Sequence, residues 1–216
     1  MKTPFSNEQF LAVFEQYNVS VFPAQIIILL LGFLALKLVF RSGVRKSIYV
    51  SSFLAILWLW SGIVYHIGFF SDLNKPAIVF GLLFIIQGVL IIYEGWFKKA
   101  LAFSFTQIIS NDIGLFFVLF GLIIYPFISW FTEKSLVHII SAGLPCPSVI
   151  ITLGFFMLNS ARIKWYLFII PVLWSIIGIS AALNFGIYQD FMMIIGALAL
   201  VLINRKQKIK TTAVGI

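Results

Sequence analysis

The chain has 216 residues, 62% of them hydrophobic and only 10% charged, whereas an ordinary soluble domain is about a quarter charged, so a water-soluble globular fold is excluded. The formal net charge of +8 does not point to nucleic acid, because the basic residues sit in short tracts beside apolar runs, where they serve as topology signals and contacts for anionic headgroups. Cys146 is the only cysteine and there are two histidines, which excludes an intramolecular disulfide and leaves too few ligands for a structural zinc site, so no cofactor is expected.

Backbone polar groups at bilayer depth must find partners within the fold, which leaves helix bundles or closed barrels. The long apolar runs lack the alternation of barrel strands, so the expected class is all-α, a polytopic transmembrane helix bundle. At the N-terminus, Ser6-Asn7-Glu8-Gln9 has the form of a capping box, with Phe10, Phe14 and Tyr17 following at helical spacing. Residues 6–17 are therefore expected to form a short amphipathic helix, lying on the outer membrane surface or packed as a soluble helix over the bundle. Glu8 and Glu15, with no small-residue cleavage pattern after them, argue against a signal peptide.

On a ruler of about 20 apolar residues per span, spans are read near 22–40, 48–70, 77–96, 113–131, 147–160, 165–185 and 189–204, the fifth and seventh being short. Residues 97–111 are too short to cross twice and are expected to lie along the inner interface. Gln87 is assigned to an interhelical hydrogen bond, Gly178 and Ala182 to a small-residue packing face, and Glu94 to a solvated position or a pair with Lys98. The chain reads as a single transmembrane domain over 1–216, ending in a basic cytoplasmic tail at 205–216.

Twelve of the fifteen Lys and Arg residues fall in every second gap: Lys37, Arg41, Arg45 and Lys46, then Lys98 and Lys99, then Arg162 and Lys164, then Arg205, Lys206, Lys208 and Lys210. The other gaps hold only Lys2, Lys75 and Lys134. Under the positive-inside rule this alternation expects seven crossings of a plasma (inner) membrane, with the N-terminus outside and the C-terminus in the cytoplasm.

Used as a depth gauge, the same alternation gathers polar residues of five helices near the outer face: Gln25, Tyr65, His66, Cys146, Ser148, Asn184 and Asp190. Ionisable groups at membrane depth are expensive and mark function by default, although residues within a turn of the interface are commonly just hydrated. Tyr65 shares a helical stripe with Ser61 and Trp58. In Gly143-Leu144-Pro145-Cys146-Pro147-Ser148 the flanking prolines are expected to exclude helix at Cys146 and to let Pro147 open the fifth helix. That break has the form of a discontinuous transporter helix, and equally of an ordinary loop entering a short helix.

Pro4-Phe5, Glu8-Gln9-Phe10, Phe14, Tyr17-Asn18, Pro23-Ala24-Gln25, Tyr65-His66, Pro145-Cys146-Pro147, Leu173-Trp174-Ser175 and Asp190 together resemble an uncharacterised family of small bacterial multi-pass membrane proteins, domain-of-unknown-function family 6064. The resemblance covers nearly the whole chain and implies an integral membrane location without an established activity or catalytic residues. Three functions remain open. The first is a small-solute transporter or permeation protein with a site at the outer face, for which Leu59-Trp60-Ser61 and Leu173-Trp174-Ser175 offer a faint repeat echo. The second is a non-catalytic membrane subunit or sensor. The third is a membrane-embedded hydrolase using Cys146, or a metal on His66, Cys146 and Asp190. The expected partners are the lipid bilayer, a small-molecule ligand, and a second copy or another membrane protein.

Overall fold

The computed structural model describes residues 5–43, 45–106 and 108–213. Lys2, Pro4 and the end of the tail at 214–216 lie outside the described residues, as do the side chains of Ala181 and of positions 207 onward. The described chain is all helical, with two isolated β-bridges and no strand among these residues. Its helices are α1 (Asn7–Val21), α2 (Ala24–Val39), α3 (Lys46–Leu73), α4 (Ala77–Phe97), α5 (Ile109–Glu133), α6 (Pro145–Met157), α7 (Tyr166–Phe185) and α8 (Phe191–Ala213). Five helices, α3, α4, α5, α7 and α8, are long and apolar enough to cross a membrane. The pair α1 and α2 would make a sixth, but it is bent by 82°.

The helix ends are tied together at two opposite ends of the bundle. At one, Lys46 Nζ donates to Arg41 O (2.8 Å), Phe105 N to Val39 O (3.3 Å), Asn111 Nδ2 to Met157 O (3.1 Å), and Ile163 N to Asn204 Oδ1 (3.0 Å). This is the end that carries the basic tracts. At the other, Asn18 Nδ2 donates to Val137 O (2.7 Å) and Ile139 O (2.9 Å), while Ser61 Oγ donates to Gly143 O (2.8 Å).

Between those ends α6 runs through the middle of the bundle, against α3, α5, α7 and α8. Every residue of α6 except Cys146 is buried, which accounts for its apolar sequence. At 13 residues it spans only about 20 Å. The flanking segments make up the difference by folding inward, burying Leu101 and Phe103 on one side and Ile140, Ala142 and Leu144 on the other. The segment expected to lie along the inner interface is anchored in the bundle at Leu101 and Phe103, the latter fully buried and bridged to Asn159, while Lys98, Lys99 and Thr106 stay exposed. Backbones approach closely where glycine permits, since a Cβ on Gly154 would stand 2.7 Å from Val118 N and 2.8 Å from Gly114 O. Gln87 Nε2 donates to Leu167 O (2.7 Å), joining α4 to α7, and Gly178 packs on Met193.

Three local expectations are corrected. Helix α6 opens at Pro145, not Pro147, with Leu144 as its N-cap, so Cys146 belongs to the first turn. First-turn amides have no intrahelical partner, and two prolines there forfeit nothing. Glu94 is neither solvated nor paired with Lys98: it is 1% exposed, lies 3.0 Å from Lys164 Nζ and accepts a hydrogen bond from Tyr166. The hydrogen bond that Lys164 Nζ itself donates to Glu94 Oε1 (3.2 Å) raises the ammonium above the ordinary lysine range. Finally, α1 has the expected Ser6–Gln9 capping box but continues to Val21, and buries Phe10, Phe14 and Tyr17 against the bundle.

Candidate functional site

The aromatic face of α1 roofs a cavity of about 220 Å³ at the end of the bundle opposite the basic tracts. Its wall combines Phe10 and Phe14 of α1, Tyr65, His66 and Phe70 of α3, Phe80 of α4, Tyr125 of α5, Cys146 of α6, Trp174 and Gly178 of α7, and Asp190 just before α8. Nine Phe, Tyr and Trp side chains make this wall predominantly aromatic. Among its described residues only Ile177 and Ser180 are exposed, which puts the mouth beside the second half of α7.

Local backbone geometry turns the polar groups inward. From Ser61 to Phe70, α3 winds as a π-helix, whose wider turn reduces the angle between neighbouring side chains. Consecutive residues Tyr65 and His66 are therefore both buried, at 3% and 0% exposure. Leu144, extended before α6, delivers Cys146 to the cavity in the first helical turn. Asp190 sits in a short 3₁₀ turn, Tyr188–Asp190, that follows the left-handed Gly186.

The polar inventory is incomplete in one place. Tyr125 donates its hydroxyl hydrogen to Asp190 Oδ1, while Asp190 Oδ2 has no partner. Both ring nitrogens of His66 are unpartnered, and its ring is packed edge-to-face against Phe84 (4.9 Å) and Trp174 (5.0 Å). The indole N–H of Trp174 has no hydrogen-bond acceptor, and the Cys146 thiol lies beside Trp174 and Asp190. Of the seven buried nitrogen and oxygen atoms lacking a partner among the described residues, four belong to residues that line this cavity. The other three belong to side chains held elsewhere: Glu94 by Lys164, and Gln25 and Gln87 through their amide nitrogens. Buried polar groups are ordinarily satisfied, so this convergence marks the place where the fold leaves hydrogen-bonding capacity unused.

Tyr65, His66, Cys146 and Asp190 thus share one cavity, whereas Gln25, Ser148 and Asn184 are not part of it. Gln25 ties α2 to α1 through Asn18 O (2.7 Å). Ser148 is fully buried and accepts from Gly143 N (3.1 Å), fixing the turn before α6. Asn184 is exposed and donates to Ser180 O (2.7 Å) on its own helix. Tyr125 and Trp174 carry site geometry that sequence reasoning did not assign. A tyrosine in the midst of the apolar α5 was the available signal for the first, and Trp174 stood only in the family resemblance and the repeat echo. Among the described residues no three His, Cys, Asp or Glu side chains are grouped to hold a metal ion, so His66, Cys146 and Asp190 do not form a metal site.

No curated protein and no solved structure matches this chain. Its membership is nonetheless shown by its own sequence: residues 7–213 match the model of a family of unknown function, DUF6064, and the chain belongs to that family.

Proposed function

We propose that this is an integral membrane protein that crosses the bilayer seven times, N-terminus outside and C-terminus in the cytoplasm, and binds a small solute in the aromatic cavity near the outer face as a step in its movement across the membrane. The observation that carries the reading is the convergence of four unpartnered buried polar atoms, from His66, Trp174 and Asp190, on one cavity. A purely structural core would pair these groups or replace them with apolar ones, because each costs about 1–3 kcal/mol when left unsatisfied. The crossing number is supported by the linkage of helix ends at two opposite poles, which lets the short α6 count as a pass with its inward-folded flanks. The orientation is supported by the basic tracts, all at the pole away from the cavity.

Cys146 is the chain's only cysteine and lines the cavity, so its chemical modification reports on this place alone. A small membrane-impermeant methanethiosulfonate added to intact cells should modify it, with Cys146→Ser as the unreactive control. Modification only from the cytoplasmic face would overturn the orientation. Modification only after unfolding would overturn the cavity as a solute site.

A further inference from the structure

We infer that the solute is a small organic cation, an ammonium group carried on an apolar body; this rests on the cavity being a binding site. The charge balance of the cavity is one-sided. Asp190 is its single acidic residue, 1% exposed, and no Lys or Arg stands among the described residues of the wall. The other polar groups of the wall are Tyr65 and His66 from α3, Asn74 just after it, Tyr125 from α5, Cys146 from α6, and Trp174 and Ser180 from α7. None carries a permanent positive charge. The basic tracts lie at the opposite pole of the bundle, where Lys164 is already engaged by Glu94.

A buried carboxylate needs a partner of opposite charge or a full set of donors. Tyr125 supplies one donor, to Oδ1, and Oδ2 has no partner beyond the weak thiol of Cys146 beside it. An ammonium ligand fills that position with a charge-assisted N–H···O bond. The rest of the wall suits the same ligand, because the faces of Phe, Tyr and Trp attract a cation through their ring quadrupoles. A neutral imidazole also offers one lone-pair nitrogen to a second N–H, and both nitrogens of His66 are free. Other classes fit worse. A carboxylate or phosphate ligand would meet Asp190 with no cation to hold it, and a hydrocarbon would bury Asp190 Oδ2 unpaired. A bare metal ion finds no cluster of three ligating side chains among the described residues.

The test uses the full chain in detergent micelles and reads the rate at which methyl methanethiosulfonate modifies Cys146. Three probes share a ring and differ in charge: 2-phenylethylammonium, 2-phenylethanol and phenylacetate. The cation should slow modification at least tenfold at concentrations where the alcohol and the anion have no effect, and Asp190→Asn should erase that difference. The three-probe comparison on the wild-type chain is sufficient should Asp190→Asn fail to fold. If the alcohol protects as well as the cation, the cation assignment is wrong and the binding cavity stands. If Cys146 reacts freely and the cation gives no protection, the cation assignment also falls. If Cys146 is unreactive in the folded protein, the binding reading itself is overturned.

Discussion

Replacing His66 with phenylalanine should make the ligand-free protein more stable, which is unusual for a fully buried position. The imidazole is 0% exposed and neither nitrogen has a partner, so the wild type bears an unsatisfied-group penalty of about 1–3 kcal/mol. Leucine would remove that penalty but also the edge-to-face contacts with Phe84 and Trp174, worth about 0.5–1.5 kcal/mol. Phenylalanine keeps a ring there, and the adjoining cavity takes its extra atom. The expected net gain is therefore about 1–2 kcal/mol. Denaturant titration in mixed micelles, followed by tryptophan fluorescence, measures it. Gln87→Leu is the internal contrast: its amide nitrogen supplies Leu167 O with the donor that Pro171 withholds, so its loss strands a buried carbonyl at a cost of about 1–3 kcal/mol, offset only in part by removing the unpartnered Oε1. If His66→Phe instead lowers stability by 1 kcal/mol or more, the imidazole is a bonded structural group and the argument from unused polar capacity fails.

Two further substitutions probe the scaffold that holds the cavity. Asn204 binds the backbone of Ile163 through both amide atoms, each at 3.0 Å, so Asn204→Leu strands a buried N–H and C=O and should cost about 2–3 kcal/mol in the same titration. Gly154→Val forces α5 and α6 apart where a Cβ already has no room; overpacking of about 1–3 kcal/mol or more is expected, together with a changed rate of Cys146 modification, because α6 carries that residue.

How much was legible in the sequence follows from what lipid constrains. Apolar length and charge placement are imposed residue by residue, so the all-helical class and the positions of the long helices could be read directly. The end of the bundle to which a residue belongs was legible for the same reason, but the direction a side chain faces around its helix was not. Asn184 and Asp190 lie near one another in sequence, yet Asn184 faces outward and Asp190 inward, separated by the left-handed turn at Gly186. Cys146 was assigned the right neighbourhood and the wrong backbone, because the rule about residues before proline was applied without the exemption of the first helical turn. Glu94 was given a neighbour four residues on, whereas its partners Lys164 and Tyr166 come from 70 and 72 residues away. The π-helical winding that turns Tyr65 and His66 inward together left no mark in the hydrophobic pattern, since both residues fit an ordinary helix equally well.

Native mass spectrometry of the full chain, released from mild detergent, tests the central claim most directly when wild type is compared with Cys146→Phe, whose ring would occupy the cavity. A bound small molecule should accompany the wild type, after purification or on addition of 2-phenylethylammonium, and be missing from Cys146→Phe at equal folded fraction. Identical mass profiles for the two proteins under both conditions would contradict a ligand-binding cavity.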